Sequence, residues 1–238
     1  MKRILLMVIR NIVLVLPMWI RLCYHAAHPD KYTEQEHFKM LKFIDHRANK
    51  AGNVEIVASG IENIPKENGF IFYPNHQGMY DVLAIMEVVP IPFSVVAKKE
   101  VANIPFLKQI FSCVKAKMMD REDIRQSLQV IMQVAKEVKE GRNYIIFPEG
   151  TRSKNGNTVG EFKGGSFKAA TKAKCPIVPV ALINAFKPFD TNSIEQVKVQ
   201  VHFLEPLYYE DYKEMKTTEI AQVVQDRIQK MIYDHVEE

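Results

Sequence analysis

The chain has 238 residues, 47% hydrophobic and 25% charged, with twelve prolines and ten glycines; this excludes a disordered or collagen-like chain and gives one to two domains with a sizeable core. Three widely spaced cysteines, Cys23, Cys113 and Cys175, exclude a disulfide framework, form no zinc pattern and fit a reducing compartment. The net charge of +4 is uneven: residues 98–117 carry +4, residues 152–174 carry +5 and the 205–238 tail carries −5, a focusing that suits an anionic ligand, an anionic membrane or an acidic partner, with solvated lysine faces as the alternative.

Residues 4–20 are apolar at fourteen of seventeen positions, flanked by Lys2, Arg3 and Arg21. Arg10 and Asn11 interrupt the run and Pro17 is expected to bend its end. A spanning helix needs roughly 20 apolar residues, so the run is marginal as a span. Arg10 also breaks the core of a signal peptide. An interfacial or half-inserted anchor with Trp19 at headgroup depth fits best.

Thr33 followed by Glu36 forms a capping box that opens a helix over 33–50. Phe38, Leu41, Ile44 and Asp45 form its stripe, to pack on the anchor or the membrane. Short β-like runs follow at 54–58, 70–73, 93–97, 144–147, 177–183 and 197–204. Ile124, Leu128, Ile131, Ala135 and Val138 recur at helical spacing up to Gly141. A last helix begins near Thr217 or Thr218 and carries Ile220, Val223, Val224, Ile228, Met231 and Ile232. Strands alternating with helices imply an α/β layer fold. The expected organisation is an N-terminal helical membrane-associating segment, 1–52, and one catalytic domain, 53–238.

Two segments carry chemistry. In the first, the strand at 70–73 ends at Pro74 and delivers His76 to its C-terminal edge, where ligands of open α/β sheets bind. Asp81 opens the next helix. Histidine is the side chain best suited to take a proton near neutral pH, and a carboxylate on its other nitrogen fixes the tautomer. Five helical positions are about 140° apart around the axis, so the pair meets only if 76–80 form a turn, which Gly78 permits. Otherwise His76 merely caps a strand and Asp81 a helix.

In the second, Tyr144–Phe147 ends at Pro148 and supplies Glu149, Gly150 and Arg152. Gly150 permits close backbone approach, Arg152 can grip a phosphate bidentately, and Glu149 can hold a hydroxyl or orient Arg152. The plain alternative is a strand-to-loop turn with a surface ion pair. The remaining histidines, His25, His28, His37, His46, His202 and His235, read as scattered over helix surfaces, a strand and the tail. Cys113 and Cys175 read as inert core cysteines in strand-like runs. Ser94, Ser112 and Ser166 lack a nucleophile elbow.

Together the segments resemble the glycerolipid acyltransferase family, in particular its bacterial 1-acyl-sn-glycerol-3-phosphate acyltransferases. Asn75-His76-Gln77-Gly78-Met79-Tyr80-Asp81 matches that family's Asn-His-x-x-x-x-Asp block, and Phe147-Pro148-Glu149-Gly150-Thr151-Arg152-Ser153 matches a second block in full. Lys98-Lys99-Glu100-Val101, Asp120-Arg121, Phe162–Phe167 and Ile177–Val180 follow the family order, so the resemblance covers roughly residues 54–206. Gly78, Met79 and Tyr80 depart from the usual residues of the first block, and Lys117-Met118-Met119 departs from the usual lead into Asp120-Arg121; these departures bear on the acyl-chain pocket and the acceptor.

The resemblance implies a central mixed sheet flanked by helices, with His76 as general base oriented by Asp81. It implies an acceptor and phosphate site from Glu149, Gly150, Thr151, Arg152 and Arg121, with Lys98 and Lys163 as further phosphate or carrier contacts. The reaction implied is transfer of an acyl group from acyl-ACP or acyl-CoA, as co-substrate, to 1-acyl-sn-glycerol 3-phosphate, giving phosphatidic acid at the cytoplasmic face of the cell membrane. No cofactor, metal or nucleic acid is expected. Another lysophospholipid, a lyso-aminolipid or glycerol 3-phosphate are alternative acceptors, and a non-enzymatic lipid-phosphate binding module is the alternative of another class.

Overall fold

Apolar runs bounded by turn residues become the strands of one sheet. In the computed structural model these are β1 (Val54–Ser59), β2 (Ile71–Pro74), β3 (Ser94–Lys98), β4 (Lys117–Met119), β5 (Tyr144–Ile145), β6 (Ile177–Ile183) and β7 (Val197–Phe203). Residues 2–236 are described; Met1 and Glu237–Glu238, the outer ends of the expected two-part division, lie outside the described residues. The sheet order is β1-β7-β6-β2-β5-β3-β4. Strands β6 and β7 pair antiparallel and the other neighbours pair parallel, so the sheet is mixed, as expected. Every residue of β2 and β6 is buried, which is why these strands read as continuous apolar runs: helices cover both faces.

The helices are α1 (Lys2–Arg10), α2 (Ile12–Ala27), α3 (Glu34–Ala51), α4 (Asp81–Val88), α5 (Leu107–Cys113), α6 (Ile124–Lys139), α7 (Lys168–Ala173), the single turns α8 (Lys187–Asp190) and α9 (Tyr209–Tyr212), and α10 (Thr217–His235). Helices α1–α5 contribute to the core on one face of the sheet; α6, α7 and α10 build the core on the other. The capping box of α3 forms as expected: Thr33 Oγ1 accepts from Glu36 N at 3.2 Å, and Thr33 N donates to Glu36 Oε2 at 2.8 Å. Asp123 caps α6 by accepting from Arg125 N and Gln126 N at 2.9 and 3.0 Å.

The apolar 4–20 run breaks at Asn11, not at Pro17, which lies inside α2. Helices α1 and α2 meet at 95°, and no single described helix is long and apolar enough to cross a membrane. Polar residues in the run make the break by binding the end of α3. Asn11 Nδ2 donates to Met7 O and Arg47 O, and Asn11 Oδ1 accepts from the Arg47 guanidinium. Arg10 donates to Ala51 O at 3.0 Å, and the buried Arg3 donates to Glu195 O at 2.8 Å. Met7 and Leu22 join the same core cluster as Phe70 and Ile85, so the N-terminal helices share the core of the sheet. On the outer side Leu5, Ile9, Val13, Leu16 and Ile20 remain 57–82% exposed.

Several expectations are corrected. Strand β4, three residues long, was too short to show alternation in the sequence. Of the run 144–147 only Tyr144–Ile145 is strand, although Ile146 N still donates to Phe72 O at 3.0 Å. Ile124 and Leu128 are exposed: the first turns of α6 direct Gln126 and Ser127 toward residues 118–120 and leave the Ile124–Leu128 side open; periodicity reports a face but not what packs on it. Cys113 ends helix α5, and Cys175 precedes β6. Both are buried, and burial pushes their thiols up to about 11 and about 12. His25 and His37 are buried against each other, Nδ1 to Nδ1 at 3.2 Å, where the end of α2 packs on the start of α3.

Candidate active site

Strands β2, β5, β3 and β4 run parallel, so their C-terminal ends gather along one edge of the sheet. After Pro74 the chain leaves β2 irregularly through Asn75–Gly78 and turns before α4 begins at Asp81. That turn brings residues five apart into contact: His76 Nδ1 lies 2.7 Å from Asp81 Oδ2. Asp81 is fully buried, and its carboxylate also accepts from Gln77 N at 2.7 Å and Gly78 N at 3.0 Å. Burial pushes the Asp81 carboxyl above the ordinary range, while the His76 imidazole and these two amides pull it back. Two backbone donors converging with the ring call for an acceptor-only carboxylate, which assigns the proton to His76 Nδ1 and the lone pair to Nε2. The His76 side chain is 18% exposed.

The segment after β5 wraps the same histidine. The Phe147 ring stacks on the imidazole with centroids 4.1 Å apart. Glu149 Oε1 accepts from His76 N at 2.8 Å, and Ser153 N donates to His76 O at 2.8 Å. From the other side β6 holds the flanking amides. Asn75 Oδ1 accepts from Leu182 N at 2.7 Å, and Gln77 Oε1 accepts from Ala185 N at 2.7 Å. The backbone, ring face and Nδ1 of His76 are thus all engaged, and Nε2 has no hydrogen-bond partner among the described residues. Sequence reasoning gave Asn75, Gln77 and Phe147 no role of their own; polar residues on either side of a histidine at the end of an apolar strand were the available signal.

The remaining candidates divide. Gly150 adopts φ +70°, a left-handed conformation that suits glycine. Its carbonyl accepts from the Arg121 guanidinium, and a Cβ added there would lie 3.3 Å from Lys163 Nζ. Thr151 and Arg152 are exposed, with no side-chain hydrogen bond or ion pair among the described residues. Lys98, at the end of β3, pairs with Glu100 at 2.8 Å and does not touch the His76–Asp81 pair. Its neighbour Lys99 binds Asp120, which precedes Arg121. Glu149 departs from expectation: it is 3% exposed and is held by backbone amides rather than by Arg152.

Residues 55–183 match the family model described as Acyltransferase. A 1-acyl-sn-glycerol-3-phosphate acyltransferase of Borreliella burgdorferi is 33% identical over 184 residues, covering 75% of this chain and 72% of that protein. The protein of the same name from Escherichia coli is 32% identical over 152 residues, 63% of this chain and 62% of that one. In fold, the chain is similar to the crystal structure of a 1-acyl-sn-glycerophosphate (LPA) acyltransferase from Thermotoga maritima, with a TM-score of 0.74 and 22% identity over 95% of this chain and 96% of that one.

Proposed function

This chain belongs to the acyltransferase family, and on that premise we propose that it acylates the free hydroxyl of 1-acyl-sn-glycerol 3-phosphate, forming phosphatidic acid in phospholipid synthesis. The observation that carries the mechanism is His76, with Nδ1 on the buried Asp81 carboxylate and Nε2 unclaimed. His76 Nε2 accepts the proton of the acceptor hydroxyl as that oxygen attacks the carbonyl carbon of an acyl thioester. The C–S bond then breaks, and the leaving thiolate takes the proton back from the imidazolium. General-base help of this kind contributes typically about 10²–10⁴-fold, and positioning and charge stabilisation supply much of the rest. The direct route is favoured over an acyl-enzyme because Cys113 and Cys175 are buried with raised thiol pKa values.

Arg152, exposed and unpaired one residue before the Ser153–His76 hydrogen bond, is the acceptor's phosphate clamp. Arg121, which reaches the Gly150 carbonyl, Lys163, whose Nζ lies beside Gly150, and Thr151 are assigned to the same acceptor site, and Lys98 to the phosphate or the acyl carrier. The donor is acyl-CoA or acyl-ACP; the basic segments 98–117 and 152–174 suit either anionic carrier. No cofactor takes part in this scheme. The exposed apolar side of α1 and α2 supports seating in one leaflet of the membrane, where a lipid acceptor resides, and the reading places the protein on the cytoplasmic face. A purified-protein assay with a labelled acyl thioester and lysophosphatidic acid tests the reading. Wild type should form phosphatidic acid, and Arg152→Ala should raise the acceptor KM about 10–100-fold, the loss of a charge-assisted phosphate contact. No phosphatidic acid from wild type, or an unchanged KM in the variant, would overturn the acceptor or the clamp respectively.

A further inference from the structure

We infer that Glu149 is a positioning residue for His76, not a ligand of the acceptor, and that Gly160 is the residue that lets it act. The inference rests on His76 being the base proposed above and names what holds that base in place. The Glu149 carboxylate bridges two backbone amides that are far apart in the chain. Oε1 accepts from His76 N at 2.8 Å, and Oε2 accepts from Gly160 N at 3.1 Å. The residue is 3% exposed, so both oxygens are spent on protein donors and neither is presented to a substrate hydroxyl. Burial pushes the Glu149 carboxyl upward and the two amides pull it back.

Gly160 is fitted to this carboxylate. A Cβ added to it would lie 2.4 Å from Glu149 Oε2 and 3.2 Å from Cδ. Any larger residue at 160 must therefore drive the carboxylate off one or both amides. The consequence for His76 is local. Asp81 holds Nδ1 and Phe147 holds the ring face, but Glu149 holds the peptide from which the ring projects. Releasing that amide leaves the His76 peptide held only through its carbonyl by Ser153 N, with Asn75, Gln77 and Gly78 still tied, and a misplacement of about 1 Å of a reacting group costs on the order of 10²-fold in rate. The acceptor's own contacts are left in place.

Two readouts test the assignment. In steady-state transfer kinetics, Glu149→Gln and Gly160→Ala should each lower kcat by about tenfold or more, with the acceptor KM within about twofold of wild type. The double variant should be little worse than the worse single one, because both act through the same carboxylate. In native-state hydrogen exchange, the His76 amide should exchange at least about tenfold faster in Glu149→Ala and Gly160→Ala, while the Ile146 amide, bonded to Phe72 O at 3.0 Å, keeps its protection. An acceptor KM raised tenfold at unchanged kcat in Glu149→Gln would make Glu149 a substrate ligand and overturn the inference. So would unchanged His76 protection in both exchange variants. The exchange arm needs no substrate, so it decides this inference even where the wild type fails to acylate lysophosphatidic acid, a result that would count against the proposed function alone.

Discussion

Replacing Asp81 by asparagine separates the chemistry of the site from its architecture. Three N–H groups point at the Asp81 carboxylate: His76 Nδ1, Gln77 N and Gly78 N. His76 Nδ1, Gln77 N and Gly78 N all reach Oδ2, so an asparagine oxygen at that place keeps all three donors, and its NH₂ falls at the Oδ1 position beside Gly78 N. The tautomer with its lone pair on Nε2 is then retained, but the negative charge that stabilises the imidazolium formed on proton transfer is lost. Losing an electrostatic contact made to charge that develops in the transition state lowers kcat by about 10²–10³-fold, equivalent to about 2.7–4 kcal/mol of barrier. Stability should change little, because burial raises the Asp81 carboxyl pKa and the neutral side chain relieves a charge that folding disfavours. Asp81→Asn should therefore unfold within a few degrees of wild type while single-turnover transfer falls by about two to three decades. Transfer within tenfold of wild type in a natively folded variant would refute the part given to the Asp81 charge in stabilising the His76 imidazolium.

Two further outcomes concern the rest of the molecule. Val13→Asp combined with Leu16→Asp, at positions 82% and 64% exposed, should abolish flotation with anionic vesicles, since burying each aliphatic side chain contributes about 1.5–3 kcal/mol; flotation equal to wild type would place the membrane contact elsewhere. Glu137 joins Lys117, Arg142 and the Tyr144 hydroxyl; burial alone would raise its carboxyl, but these partners bring it down to about 2 from an ordinary 4.5. A depressed carboxylate stabilises the fold above its unfolded pKa and loses that contribution as pH falls through the folded one, here about 3 kcal/mol between roughly pH 5 and pH 2. Glu137→Gln should thus lower Tm at neutral pH and flatten the fall of Tm over that window, and calorimetry showing parallel curves would remove Glu137 from the acid response.

Much of the site's inventory was legible in the order of residues. Apolar runs ending at Pro74 and Pro148 announced two strand ends, and the residues after each were of the types that move protons and bind phosphate. The capping box at Thr33 and the helical period leading to Gly141 set two helices, because caps and periodicity act over three or four residues. The likeness of the motifs to a known family added the reaction. None of this could say which way Glu149 points. As a residue type it suited a hydroxyl or a guanidinium, and only its burial beneath His76 shows it committed to backbone amides.

The amino-acid sequence by itself determined the α/β alternation, the His76–Asp81 contact as a condition on one turn, and the apolar character of the N-terminus. Tertiary structure decided the rest. Strand β5 inserts between β2 and β3, which sets Phe147, Glu149 and Ser153 around a histidine more than 70 residues earlier. The fold of the N-terminus was decided the same way, since Asn11 and Arg10 break the apolar run by hydrogen-bonding to the end of α3. The physical reason is common to both. Local rules report what a few neighbouring residues prefer, whereas a buried polar atom takes whichever partner the packed chain brings within reach, however distant in sequence.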